Sequence, residues 1–420
     1  MIQLLRMNKK IVIIVLTIIC LYSGYYLYSN HLEKKEVNFW DFRSVDTMKY
    51  SRDVAREKLT DKSFDYVIEQ QAQEIAKTGA THIAIATPYD EEFLPYLKRW
   101  VVAARNNKLK VWFRGNWSGW EGWFGYPKID RKTHIEKTRE FILSHSDLFE
   151  NGDVFSACPE CENGGPGDPR QNGDTVGHRK FLLDEYAVTK AAFAKIHKKV
   201  PSNFASMNGD VARLIMDKQT TAGMDGIVVI DHYVATPEKL ARDIQDFAKQ
   251  SHGKVILGEF GAPIPDIHGN MTEAQQAAWL EATFEQIAPL DELVGVSYWV
   301  NTGGSTQLWG SDGNPRQAVV VLTRAYTPYQ IYGVVRNGLR YPIANADVTN
   351  GLRRAYTAKD GSFALPSLEK EQSVDVQADE YYKAKKVLNS GALQKITMDK
   401  QKEDPFFIIG RYILAIIPLP

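Results

Sequence analysis

The chain has 420 residues, room for a barrel of about 250–300 residues and a further module of about 80. Lysine plus arginine and aspartate plus glutamate both count 51, so the formal net charge is zero and the basic footprint of a nucleic-acid binder is excluded. Aromatic residues make up 11%, nine of them tryptophan. Such rings can pack on sugar C–H faces while their N–H or O–H finds a polar partner, but they also fill cores, so composition alone only permits a carbohydrate site.

Taken in chain order, the first element is Ile11–Tyr28, a stretch of 18 uncharged residues preceded by Arg6, Lys9 and Lys10. That pattern predicts one membrane-spanning helix with its basic flank in the cytoplasm. No A-x-A cleavage site follows it, which favours an uncleaved anchor over a removed signal peptide. Residues 1–36 are therefore expected to be a membrane anchor and linker. The body of the protein is expected outside the cytoplasm, at the cell surface or secreted.

From residue 37 to 326, strand and helix patterns alternate. Short apolar runs predict strands at Val37–Phe42, His82–Ala86, Lys110–Phe113, Val154–Ala157, Ser202–Ser206, Gly226–Ile230, Lys254–Leu257 and Val294–Trp299. Between them, helical periodicity predicts helices such as Phe64–Lys77, Glu92–Asn106, His178–His197, Pro237–Gln250 and Glu273–Ala288. Thr272 and Gln275 have the spacing of a capping box at the start of the last one. Eight such units predict an α/β fold, a (β/α)8 TIM barrel.

Near Tyr326 the pattern changes to strands and turns only, which predicts a small antiparallel β-sandwich over 327–400. Its segments Ile331-Tyr332-Gly333-Val334-Val335, Pro342-Ile343-Ala344-Asn345-Ala346-Asp347-Val348 and Asp360-Gly361-Ser362-Phe363 resemble the carboxypeptidase-regulatory-like modules. The resemblance implies a noncatalytic spacer or binding accessory. Residues 401–420 form an apolar tail carrying Arg411, short for a membrane span.

Two acidic segments carry the chemistry. Cys158-Pro159-Glu160-Cys161-Glu162-Asn163-Gly164-Gly165 follows the fourth predicted strand, and Gly258-Glu259-Phe260-Gly261 follows the seventh. Carboxyls at the carboxy-terminal ends of barrel strands lie where such folds keep their chemistry. Two on separate strands supply an acid/base and a nucleophile, the minimum for breaking a glycosidic bond. With this placement the chain resembles the clan A (β/α)8 retaining glycoside hydrolases over roughly residues 37–325. The resemblance implies a catalytic acid/base after strand four, Glu160, and a nucleophile after strand seven, Glu259. In that clan the acid usually follows asparagine, whereas Glu160 follows Pro159. Glu162 is thus a rival for the acid, and Glu160 is preferred because it sits nearer the strand end.

Other strand ends supply candidate substrate-binding residues: Arg114, Asn116 and Trp117 after strand three, Glu162 and Asn163 after strand four, and Asn208 after strand five. Asp231, His232 and Tyr233 follow strand six, and Trp299 ends strand eight. The resemblance implies that His232 or Tyr233 orients Glu259 and that Trp299 floors a sugar subsite. Trp117, Trp120 and Trp123 recur in a glycine-bearing loop and are expected to be stacking platforms or to pack on one another. Arg43 and Asp46, placed after strand one, could also face the site.

Cys158 and Cys161 have C-x-x-C spacing, but no second pair and no paired histidines complete a zinc site. Outside the cytoplasm they could close a small disulfide ring that braces the acid loop. The expected activity is retaining hydrolysis of an extracellular or cell-envelope polysaccharide or oligosaccharide, without metal or organic cofactor. A transglycosylase, or a noncatalytic glycan-binding protein on a degenerate barrel, is the alternative.

Overall fold

The computed structural model describes residues 36–401. The apolar segment Ile11–Tyr28 and nearly all of the 401–420 tail lie outside the described residues. Among the described residues, no helix is long and apolar enough to cross a membrane. They divide into two compact units, Asn38–Tyr329 and a second made of residues 36–37 and 330–401.

The first unit is an eight-stranded sheet in the order β4-β3-β2-β1-β8-β7-β6-β5. The strands are β1 (Phe42–Asp46), β2 (His82–Ile85), β3 (Lys110–Phe113), β4 (Val154–Phe155), β5 (Ser206–Asn208), β6 (Ile227–Asp231), β7 (Lys254–Phe260) and β8 (Leu293–Tyr298). Every neighbouring pair is parallel. The two edges meet through backbone bonds from Phe155 N–H to the Pro201 carbonyl at 2.9 Å and from Glu160 N–H to the Ser206 carbonyl at 2.7 Å. A parallel sheet curled until its edges meet fits the (β/α)8 barrel. The predicted helices form close to their expected bounds, and Thr272 and Gln275 make the capping box.

Side-chain alternation along the strands builds the interior in layers. The lower layer is apolar: Phe42, Ala84, Trp112, Val154, Phe204, Val229 and Ile256. Two residues further along several of the same strands lie Ser44, Arg114, Ser156, Ser206 and Asp231, all buried, and β1 continues to Asp46. This polar layer corrects two sequence expectations. Strand one runs Phe42–Asp46, not Val37–Phe42, and strand five runs Ser206–Asn208, not Ser202–Ser206. Both carry polar inward residues that hydropathy does not read as strand, whereas apolar Phe39 and Trp40 are buried outside any strand.

Gly258 lies where the layers narrow. A Cβ there would fall 2.4 Å from Asp231 Oδ1 and 3.0 Å from Val229 Cγ1. The β7 register shifts between Leu257 and Phe260, so strict alternation fails at this point. Such a shift lets consecutive residues, Gly258 and Glu259, both serve the interior. Gly258→Ala is expected to destabilise the barrel by about 1–3 kcal/mol through overpacking. Urea unfolding would read this as a lower midpoint, and an unchanged midpoint would mean that β7 shifts freely.

The second unit has a four-stranded sheet, order β11-β10-β13-β14, and a three-stranded sheet, order β12-β9-β15. Its strands are β9 (Tyr329–Asn337), β10 (Asp347–Thr349), β11 (Arg354–Tyr356), β12 (Ser362–Ser367), β13 (Glu371–Gln377), β14 (Ala384–Asn389) and β15 (Leu393–Met398). Ile331, Val335, Phe363 and Ile396 of one sheet share a core with Val348, Val374, Val376 and Leu388 of the other, which makes a sandwich. The sandwich is not wholly antiparallel as expected, because β15 runs parallel to β9.

Candidate active site

A cavity of about 410 Å³ opens at the carboxy-terminal end of the barrel strands, lined by Met48, Lys49, Arg52, Arg114, Glu121, Trp123, Pro159, Glu160, Asn163, Glu259 and Trp299. The two sequence-predicted glutamates therefore share one cavity. Their surroundings differ, and the difference is chemical.

Glu259 is buried on a charged floor. Arg114 Nη1 pairs with its Oε1, and the Tyr233 hydroxyl donates to its Oε2 at 2.7 Å. Arg114 is itself 2% exposed and also pairs with Asp46 Oδ2 at 3.2 Å and Asp231 Oδ2 at 2.5 Å. One guanidinium thus serves three carboxyls from β1, β6 and β7, and donates to Ser206 Oγ at 3.2 Å as well. Burial works against its charge, but the carboxylates hold Arg114 fully protonated, well above its ordinary value. Burial pushes the Asp46 carboxyl up to about 6 even against the pull of Arg114. Glu259 thus receives a hydrogen bond on each carboxyl oxygen, one from a guanidinium and one from a phenol.

Glu160 has the opposite environment. It stands three residues past Ala157 with φ 45° and ψ 47°, a left-handed conformation that disfavours residues with a Cβ. Two features hold it there. Cys158 and Cys161 are joined as a disulfide around it, and its N–H is bonded to the Ser206 carbonyl. The disulfide takes both thiols out of metal or dithiol chemistry. Burial, then the negative charge of Glu259, raises the Glu160 carboxyl to about 8, against the opposing pull of Arg114. A carboxyl in that state keeps its proton at neutral pH and can donate it.

The remaining predicted residues separate into those at the cavity and those behind it. Arg114, Asn163 and Trp299 line it. Tyr233, rather than His232, reaches the Glu259 carboxylate. The His232 ring turns away to Asp243 Oδ2 at 2.7 Å, although its backbone N–H holds the Glu259 carbonyl at 2.9 Å. Asp231 lies beneath Arg114. Glu162, the rival acid, is buried with its Oε1 taken by the Asn208 N–H at 2.6 Å and by Asn208 Nδ2 at 3.0 Å. Glu162 and Asn208 thus occupy each other, and neither lines the cavity.

Trp117 is turned into the core, where its N–H bonds Thr138 Oγ1 at 2.9 Å and its ring meets Phe141 edge-on. Trp120 stacks on Phe181. Of the three loop tryptophans only Trp123 faces the cavity, with the Arg52 guanidinium 4.8 Å from its ring centroid. Asn116 is buried behind the wall, and its amide is committed to neighbouring side chains. Arg43 points to the Trp40 and Gly79 carbonyls, away from the site, whereas Asp46 joins it.

Sequence reasoning missed Lys49, Arg52 and Glu121 in this cavity. The available signal was a pair of cations just after Asp46, and a carboxylate set between Trp120 and Trp123 in the loop already singled out.

No family model matches the chain, and neither does any curated protein. Among solved structures, a GH5_18 variant of Bifidobacterium longum in complex with Manb1-4GlcNAc is 12% identical at a TM-score of 0.48. That match covers 70% of this chain and 82% of that one. Beta-glucuronidase 2 of Bacteroides uniformis is 11% identical over 79% of this chain, at a TM-score of 0.44. A b-glucuronidase from Ruminococcus gnavus in complex with D-glucuronic acid is 15% identical over 62% of this chain, at a TM-score of 0.43. The chain spans 44% and 45% of the length of those two enzymes.

Proposed function

We propose that the protein is a retaining glycoside hydrolase acting on a polysaccharide or oligosaccharide. The observation that carries the reading is one cavity holding two carboxyls with unlike surroundings. Glu259 is bonded by Arg114 and by the Tyr233 hydroxyl, and Glu160 is kept protonated by burial and by the charge of Glu259.

The chemistry proposed follows from that arrangement. Glu160 gives its proton to the glycosidic oxygen as the Glu259 carboxylate attacks the anomeric carbon. The bond to the leaving alcohol breaks, and a glycosyl ester forms on Glu259. Glu160, now a carboxylate, takes a proton from water as that water attacks the same carbon. The sugar leaves with its configuration retained, and both side chains return to their starting states. Trp299 at the cavity wall offers a ring for a sugar face.

The basic-flanked segment Ile11–Tyr28 would tether the enzyme to a membrane with the barrel outside the cytoplasm. A disulfide at Cys158–Cys161 suits an oxidising compartment and supports that location.

The test is turnover of a panel of aryl β-glycosides and soluble polysaccharides by the full chain, beside Glu259→Gln. Cleavage by the wild type that disappears in the variant supports the reading. Glycan binding without cleavage, equal in both proteins, would replace the hydrolase with a noncatalytic glycan-binding protein.

A further inference from the structure

Glu121 is a third carboxyl in the cavity, and the mechanism above does not use it. It ends the short helix Ser118–Glu121 in the loop after β3, and three observations tie it to the acid.

The first is a buried chain of hydrogen bonds behind it. Asn116 Nδ2 donates to Glu121 Oε1. The Asn116 side-chain Oδ1 accepts from the Trp117 N–H at 2.8 Å and lies 2.9 Å from His134 Nε2. The other ring nitrogen meets Glu185 Oε2 at 3.0 Å. Asn116, His134 and Glu185 are all buried. A relay that runs inward from the cavity wall fixes which way the Asn116 amide faces, and so where the Glu121 carboxyl is held.

The second is that the loop carrying Glu121 is fastened to the loop carrying Glu160. Trp120 N–H of the indole donates to the Cys161 carbonyl at 3.1 Å, and the Gly165 N–H donates to the Trp120 carbonyl at 2.8 Å. Gly165 has φ +57°, and a Cβ there would lie 2.3 Å from the Trp120 ring, so only glycine permits this seating. Asn116 Nδ2 also reaches Cys158 Sγ at 3.6 Å, touching the disulfide that brackets Glu160.

The third is electrostatic. Burial pushes the Glu121 carboxyl up to about 7, with Glu162 adding to the rise while Asn116 and Arg52 oppose it. Its charge therefore develops near neutrality, below the range in which Glu160 loses its own proton. The groups that act on Glu160 electrostatically are Glu259, Arg114, Glu162 and Glu121, together with Asp231 and Tyr233, and Lys49 and Arg52 are also on the cavity wall. Glu162 accepts from Asn208 on its Oε1, and Glu259 is held by Arg114 and Tyr233 on both oxygens.

We propose that Glu121 is a positioning residue of this site, a like charge aimed at the cavity by Asn116 that acts on the reaction by keeping the proton on Glu160. This rests on the assignment of Glu160 as the acid. Glu121 itself exchanges no proton with substrate.

The test needs no substrate. The full chain, labelled with carbon-13 at the glutamate side-chain carboxyls, is titrated by NMR as wild type and as Glu121→Gln, with the Glu160 signal identified by its loss in Glu160→Gln. The expected result is a Glu160 midpoint lowered by a few tenths of a pH unit or more when the like charge is removed. In the wild type, the Glu160 and Glu121 signals, each identified by its loss in the matching glutamine variant, should each carry an inflection at the other's midpoint. A Glu160 midpoint unmoved in Glu121→Gln, or two independent single-step titrations in the wild type, would overturn the proposal. Where a member of the glycoside panel is turned over, the Glu121→Gln rate loss should grow as pH rises. A panel with no turnover would sink the hydrolase reading while the titration still decides the role of Glu121.

Discussion

Replacing Arg114 by methionine is expected to destabilise the barrel by about 3–5 kcal/mol near neutral pH, because one substitution leaves three buried carboxyls without their common partner. Methionine fills much of the volume, so the loss would be chiefly electrostatic. The pH dependence gives the sharper signature. Asp46 already sits at about 6, above its ordinary 3.8, and Asp231 is raised well above its own ordinary value, first by burial. Without the guanidinium both rise further. A folded carboxyl that binds its proton more tightly than the unfolded one adds stability below the unfolded value, and loses it as pH rises through the folded value. The variant should therefore recover at pH 5 and weaken steeply towards pH 8 in urea titrations. A deficit that is the same at both pH values would mean that Arg114 acts through packing and not through charge.

Glu160→Gln is expected to lower turnover about a hundred- to ten-thousand-fold, the usual worth of a general acid. The loss should be largest for substrates whose leaving alcohol needs a proton. It should shrink for aryl glycosides such as dinitrophenyl derivatives, whose leaving group departs as a stable anion. In the wild type the acid is active when protonated, so kcat/KM should fall as pH rises through about 8. The same raised value has a consequence for stability. Above the ordinary 4.5 the unfolded chain releases this proton while the folded chain keeps it, so folding loses stability from there up to about 8. Glu160→Gln removes that penalty. It should be the more stable protein at pH 8 though the poorer catalyst, with the stability gap closing towards pH 4. A variant less stable than wild type at pH 8 would place the glutamate in a structural role.

Much of the barrel was legible because buried parallel strands and amphipathic helices leave unlike periodicities. Glu160 and Glu259 were legible because each follows an apolar strand run. Legibility failed where polar residues lie inside the barrel. β1 reads Phe-Arg-Ser-Val-Asp and β5 reads Ser-Met-Asn, so hydropathy drew attention to the apolar residues beside them. The carboxyl partners of Arg114 come from β1, β6 and β7, a convergence that no spacing in the chain encodes. Trp117, Trp120 and Trp123 look alike at a three-residue interval, yet two fill the core and one faces the cavity. The short helix turn that decides this also brings Glu121 into the cavity, after two buried rings and before a half-buried one. Likewise His232 and Tyr233 are neighbours on the chain, and only the side of the backbone each leaves from determines which one meets Glu259.

As the proposed nucleophile, Glu259 would form a covalent bond to sugar during turnover. Full-length protein treated with a panel of 2-deoxy-2-fluoro glycosyl fluorides, then analysed by intact mass and peptide mapping, tests it directly. The expected result is a mass increase of one fluorosugar, mapped to Glu259 and absent in Glu259→Gln. A label on another residue, or an inverted anomer as the first product of a substrate that the protein cleaves, would contradict it.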